Sequence, residues 1–157
     1  MLHYFFDNQL IRYCEEQPAD WREAIKESCQ LLLEQQVIDQ VYVDEVISSV
    51  EEFGPYIVIV PGVAMPHSSE QSQGVFGTAI SFTKMKEPVV FNDQDAEKNA
   101  SLFFTLAAKN PEEHIQNISN LSEMLMTEGL IGALEATDNL DEFQEVMRQF
   151  SGEGHLD

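Results

Sequence analysis

Apolar and polar positions follow two periods along this chain, and together they divide it into strands and helices. Gln9–Glu15 holds a short alternation through Leu10, Ile11 and Tyr13 and reads as an edge strand. Asp20 is a candidate N-cap with Glu23 three residues on. From there a helix is predicted to run to about Gln35, with Trp21, Ile25 and Leu32 on one face. A second helix is predicted over Tyr42–Phe53, with Val43, Val46, Ile47 and Val50 as its apolar stripe, and Gly54-Pro55 stops it. The run Tyr56–Val60 predicts a buried strand. Val75–Phe82 and Pro88–Phe91 predict two more, separated from a final buried strand, Ser101–Ala108, by the charged loop Asn92–Asn99. Asn110-Pro111-Glu112-Glu113 combines an N-cap, a first-turn proline and a capping-box glutamate, so a helix is predicted to about Thr127. A shorter helical piece around Gly129 and Gly132 and a last helix over Leu140–Phe150 complete the pattern, and Ser151–Asp157 reads as a frayed tail. Helices, then strands, then helices again imply a single α/β domain over residues 1–157, with a sheet covered on both faces.

Between the first buried strand and the polar stretch Ser68–Gly74 lies Pro61-Gly62-Val63-Ala64-Met65-Pro66-His67. The Pro-Gly turn brings the chain out at a strand end, and Pro66 restricts both itself and Met65. His67 is therefore presented on stiff backbone at the mouth of the sheet, an arrangement that suits a nucleophile serving large partners. From the residues alone, a hydrogen-bonded turn histidine remains the alternative. His114 falls one turn into the helix after the last strand, on the face it shares with Ile118, Leu121 and Leu125. It points toward the protein body, either as a satisfied core histidine or as part of the same site. His3 and His155 lie near the termini and carry no assigned role.

Charge narrows the choices. The chain has 157 residues and a formal net charge of −20, which argues against nucleic acid or an anionic membrane as partner. No Lys or Arg occurs between Lys26 and Lys84, and after Lys109 only Arg148 is basic. No apolar stretch is long enough to span a bilayer, and Met1–Asp7 lacks the features of a signal peptide, so a cytoplasmic location is expected. Cys14 and Cys29 show no metal or redox spacing and read as reduced packing residues. There is no Walker pattern, no kinase glycine-rich loop and no clustered metal-ligand set, so neither a nucleotide, a metal nor another cofactor is expected.

Val63-Ala64-Met65-Pro66-His67 resembles the phosphorylation-site signature, apolar-Ala-apolar-Pro-His, of enzyme IIA of the bacterial phosphotransferase system (PTS) in the mannitol/fructose superfamily. The approach through Gly54-Pro55-Tyr56 and Pro61-Gly62 looks like the ascorbate-type branch, and the resemblance extends from about Trp21 to Phe150. It implies a mixed sheet sandwiched between helices on both faces, the mannitol-type enzyme IIA fold. It also implies His67 as the phosphorylated nucleophile and His114, in the helix after the last strand, as a second histidine that stabilises the phosphoryl group. Ser68 stands where the family usually has Gly or Ala, in the vicinity of the phosphate, and its hydroxyl could bond the phosphoryl group or crowd it. Mannitol-type members carry an Arg upstream of the Pro-His. Here that stretch is acidic or uncharged, including Glu51 and Glu52, which gives His114 more weight. The implied partners are HPr as donor and a cysteine of an enzyme IIB as acceptor, with the membrane enzyme IIC downstream. Docking is expected on an apolar patch near Met65 and Ser68–Gly74. Three readings stay open: a transport phosphocarrier for ascorbate or a mannitol-, fructose- or galactitol-type sugar, a regulatory protein signalling through its phosphorylation state, or a binding domain in which His67 is structural.

Overall fold

A computed structural model describes residues 1–68 and 72–150; the expected tail from Ser151 to Asp157 lies outside the described residues. Five strands form one mixed sheet: β1 (Ile11–Tyr13), β2 (Val58–Val60), β3 (Gly62–Ala64), β4 (Ala79–Val89) and β5 (Ala100–Ala107). Their spatial order is β1-β4-β5-β3-β2. β1 runs parallel to β4 and β3 parallel to β5, while β4/β5 and β2/β3 are antiparallel. The helices are α1 (Leu2–Asp7), α2 (Trp21–Ser28), α3 (Gln30–Glu34), α4 (Gln40–Phe53), α5 (Pro111–Leu125), α6 (Leu130–Glu135) and α7 (Leu140–Phe150). None of them is long and apolar enough to cross a membrane.

β5 is central and buried at every position, as its unbroken apolar run requires. Its alternate side chains serve two different layers. Phe104 faces its cross-strand partner Phe82, and these two rings pack with Phe5 of α1, while Phe82 also meets Phe143 of α7. On the opposite face Thr105 and its partner Ser81 both donate to the carbonyl of Ser28 at the end of α2, at 3.1 and 3.3 Å. Phe103 stacks on Phe91, which stacks on Trp21 at the start of α2. Helices thus cover both faces of the sheet, as expected.

Several expectations need correction. The helix predicted to run to Gln35 is two helices meeting at Cys29, where the amide of Cys29 is shared between the carbonyls of Ile25 and Lys26 and the Ser28 carbonyl receives the sheet hydroxyls. The run Tyr56–Val60 is buried only in part, at Ile57 and Val58. It shortens to β2 at the edge of the sheet, with Ile59 57% and Val60 37% exposed. Pro61-Gly62 is the turn of a β-hairpin, with Gly62 at φ +91, and it leads into β3, a strand too short and small-residued to stand out. Val75–Phe82 and Pro88–Phe91 are not separate strands. β4 runs through Lys84, Lys86 and Glu87, and the register slips between Lys84 and Val89, where Pro88 cannot donate to the ladder. Val75 itself makes only an isolated bridge to Ile38. α1 was not anticipated. It is a six-residue helix without a side-chain cap, held by the packing of Leu2 and Phe5. Cys14 and Cys29 are buried free thiols, and burial pushes Cys29 up to about 12, which fits packing.

Gly74 fixes the entry to α4. Its carbonyl accepts from the amide of Asp39 at 2.9 Å, and the carboxylate of Asp39 caps the helix by accepting from Val41 and Tyr42. A Cβ at position 74 would lie 2.4 Å from Asp39 Oδ1 and 2.7 Å from the Tyr42 amide nitrogen. Gly74→Ala is expected to lose about 1–3 kcal/mol of stability, measured by urea unfolding, because the obstacle includes backbone.

Candidate functional site

His67 emerges from the end of β3 with its backbone fastened on both sides. The Met65 amide donates to the Ile57 carbonyl at 2.8 Å, and the Leu106 amide of β5 donates to the Pro66 carbonyl at 2.9 Å. The carbonyl of His67 accepts from the Tyr56 hydroxyl. The Ser68 amide donates to the Tyr42 hydroxyl at 3.3 Å, and that hydroxyl donates to the Leu106 carbonyl at 2.5 Å. Ile57 just before β2, the central strand β5 and two tyrosines therefore hold four consecutive residues, Met65 to Ser68.

The ring of His67 is oriented from within this segment. Its Nδ1 lies 2.6 Å from the carbonyl of Met65. A carbonyl can only accept, so Nδ1 carries the proton and Nε2 keeps its lone pair. The ring of Tyr56 stands edge-on at 5.3 Å between centroids. Burial pushes the pKa of His67 below its usual 6.5, the bond to Met65 works against that, and nearby His114 adds to it. The imidazole is neutral at pH 7 and able to act as a nucleophile.

His114 reaches the site from α5. Asn110 caps this helix by accepting from the Glu113 amide at 2.9 Å, and Pro111 occupies the first turn, both as predicted. Glu113 then ties the helix to the start of β4 by accepting from Thr78 Oγ1 at 2.6 Å, and Asn117 donates to the Ala107 carbonyl at the end of β5 at 3.3 Å. These anchors bring the rings of His114 and His67 to 5.3 Å between centroids, tilted by 45°. Burial also lowers the pKa of His114, so it too is neutral at pH 7. His114 is half-buried at the rim of the site and not sealed in the core, although Leu121 on the same helical face is buried.

The three residues expected at the site are thus neighbours: two imidazoles face each other and the backbone of Ser68 continues the held segment. Met65, near which an apolar docking patch is expected, is itself 2% exposed and packs inward. Residues 69–71 of the expected loop lie outside the described residues. Sequence reasoning did not assign any role to the hydroxyls of Tyr42 and Tyr56. Tyr42 begins the predicted second helix and Tyr56 the predicted apolar strand, and only their polar tips separate them from ordinary core residues.

An α/β fold of this topology with paired histidines at the strand ends defines a class, and comparison with known proteins identifies it. The family model described as "Phosphoenolpyruvate-dependent sugar phosphotransferase system, EIIA 2" matches residues 4–150. The ascorbate-specific PTS system EIIA component of Escherichia coli (strain K12) is 36% identical over 121 residues, covering 74% of this chain and 77% of that protein. The mannitol-specific cryptic phosphotransferase enzyme IIA CmtB from Escherichia coli matches in structure with a TM-score of 0.80 at 29% identity, over 94% of this chain and 98% of that one. A structure of the complex of enzyme IIAMTL and phosphorylated enzyme IIBMTL from Escherichia coli matches with a TM-score of 0.74 at 25% identity, over 90% of this chain and 95% of the matched chain. The chain belongs to the EIIA type 2 family of the sugar phosphotransferase system, whose members are phosphotransferase relay components.

The lowered pKa of His67 has a measurable consequence. Below the ordinary histidine pKa the unfolded chain takes up a proton that the folded His67 resists, so the unfolded state holds more protons and stability falls as pH falls. The window lies between the usual 6.5 and the lowered folded value. Denaturation measured from about pH 7 down to about pH 5 should show this loss, and His67→Gln, which cannot titrate, should flatten part of the slope.

Proposed function

We propose that this protein is the EIIA phosphocarrier of a sugar uptake system, accepting a phosphoryl group on His67 Nε2 from phospho-HPr and passing it to a cysteine of a cognate enzyme IIB. The observation that carries this reading is the bare Nε2 of a neutral, held imidazole opposite a second imidazole. The first transfer forms an N–P bond at Nε2 as the N–P bond of the donor breaks, the donor imidazole keeping the electron pair. The second breaks the His67 N–P bond as the acceptor thiolate attacks phosphorus. Phosphoryl transfer through a loose transition state needs positioning and charge stabilisation above all. His114 supplies the latter. Neutral in the resting protein, it can donate a hydrogen bond from one ring nitrogen, and the arriving phosphoryl charge raises its affinity for a proton.

The relatives favour transport over a purely regulatory role. The curated relative in Escherichia coli is ascorbate-specific, and ascorbate is the substrate class we assign to the system this chain serves. Enzyme IIC is the membrane component downstream, and the phosphocarrier itself works in the cytoplasm. An enzyme IIB partner is supported by the IIAMTL–IIBMTL complex. Exposed apolar side chains border the site in sequence: Ile115 follows His114, Val41 precedes Tyr42, and Phe76 lies two residues after Gly74. We assign these exposed apolar side chains, in a chain of net charge −20, as candidates for contact with transient partners.

Incubation with phosphoenolpyruvate, enzyme I and HPr should label the protein with an acid-labile, alkali-stable phosphoryl group. His67→Ala should carry no label, and persistent labelling of that variant would overturn the assignment. His114→Ala should still accept the group but pass it to enzyme IIB roughly a hundred- to a thousandfold more slowly in rapid-quench experiments, the cost of one preorganised donor.

A further inference from the structure

Tyr56 touches His67 twice, through two different parts of its side chain. Its hydroxyl donates to the carbonyl of His67, and its ring stands edge-on to the imidazole at 5.3 Å between centroids and 88° between planes. The imidazole is thereby confined between the Tyr56 ring on one side and the His114 ring, also at 5.3 Å, on another. Tyr56 is itself fixed. Gly54, at φ +80, ends α4, and the Tyr56 amide donates to the Gly54 carbonyl at 2.8 Å, which folds the chain back at once. The hydroxyl has a second hydrogen bond, with Ser49 on α4, and Ser49 is buried. A continuous polar path therefore runs from α4 through Ser49 and Tyr56 to the backbone of the residue that carries the reactive nitrogen. Among the described residues, the hydroxyl of Tyr42 meets the backbone of Ser68 and Leu106.

We propose that Tyr56 is a positioning residue for phosphoryl transfer: by holding the carbonyl and the ring face of His67 together, it keeps Nδ1 against the Met65 carbonyl and Nε2 aimed outward. This rests on the phosphocarrier reading. The ring of Tyr56 alone would limit rotation of the imidazole about its Cβ–Cγ bond. The hydroxyl adds the restraint on the peptide from which that side chain grows. Without it the 2.6 Å contact between Nδ1 and Met65 would loosen, and both tautomers would be populated. Only the tautomer with a bare Nε2 presents a lone pair to an incoming phosphorus atom.

The test is Tyr56→Phe, which keeps the ring and removes the hydroxyl. Two readouts are needed. Long-range nitrogen–proton NMR correlation of the unphosphorylated protein reports the His67 tautomer directly. The wild type should show protonated Nδ1 and bare Nε2, and Tyr56→Phe should move toward the other tautomer. Rapid-quench phosphorylation by phospho-HPr should slow roughly tenfold, the scale set by losing one hydrogen bond and stranding a carbonyl. Phe143→Leu, a core variant on α7, controls for general loss of stability and should leave both readouts unchanged. Wild-type nitrogen shifts and a wild-type rate in Tyr56→Phe would overturn the proposal, as would an equal slowing in Phe143→Leu. The tautomer measurement needs no partner. If the wild type accepted no phosphoryl group at all, the functional reading would fail while the nitrogen shifts still decided the role of Tyr56.

Discussion

A histidine can act as a nucleophile only with one ring nitrogen bare, and here the carbonyl of Met65 decides which one. The 2.6 Å contact to Nδ1 assigns the proton to that nitrogen and leaves Nε2 with its lone pair directed away from the segment that holds it. The rest of the site follows from the need to keep this contact. Pro66 separates the two residues involved and stiffens the backbone between them. The Pro66 carbonyl takes the Leu106 amide and the Met65 amide gives to Ile57, so the carbonyl of Met65 cannot swing away. The central strand β5 matters for function for this reason: it is the rigid body against which the loop is registered.

Burial and charge reinforce each other at this point. Both imidazoles are pushed toward their neutral forms, in a chain whose net charge of −20 would otherwise favour protonated histidines. On the proposed phosphocarrier reading, a resting cation at the site would strip the nucleophile of its lone pair; a neutral pair avoids this, and charge compensation would arrive with the phosphoryl group.

Much of this was legible in the sequence. Gly-Val-Ala-Met-Pro-His marked a histidine held just beyond the end of β3, and Asn110-Pro111 with Glu113 placed the start of α5 to within a residue, because capping chemistry is local and strongly typed. The same holds for Asp20 and α2. Errors arose where tertiary structure overrode local pattern. Ile59 and Val60 look buried because they are apolar, yet β2 is an edge strand. β4 looks like two strands because Lys84, Lys86, Glu87 and Pro88 interrupt its apolar character, yet pairing with β5 and a register slip carry it through. The break at Cys29 depends on two hydroxyls from distant strands reaching the Ser28 carbonyl, which no local window contains. Tyr42 and Tyr56 are hidden for a related reason: a tyrosine at the start of an apolar helix face or strand reads as core, and only the structure shows that its hydroxyl grips the loop.

The most direct test of the account is the identity of the phosphorylated nitrogen. Protein labelled with nitrogen-15 on histidine, phosphorylated through HPr and observed by phosphorus–nitrogen coupling, should show phosphorus bonded to His67 Nε2, with Nδ1 still protonated toward the Met65 carbonyl. Phosphorus bonded to Nδ1 would mean that the contact seen here does not set the nucleophile, and the central claim would be wrong.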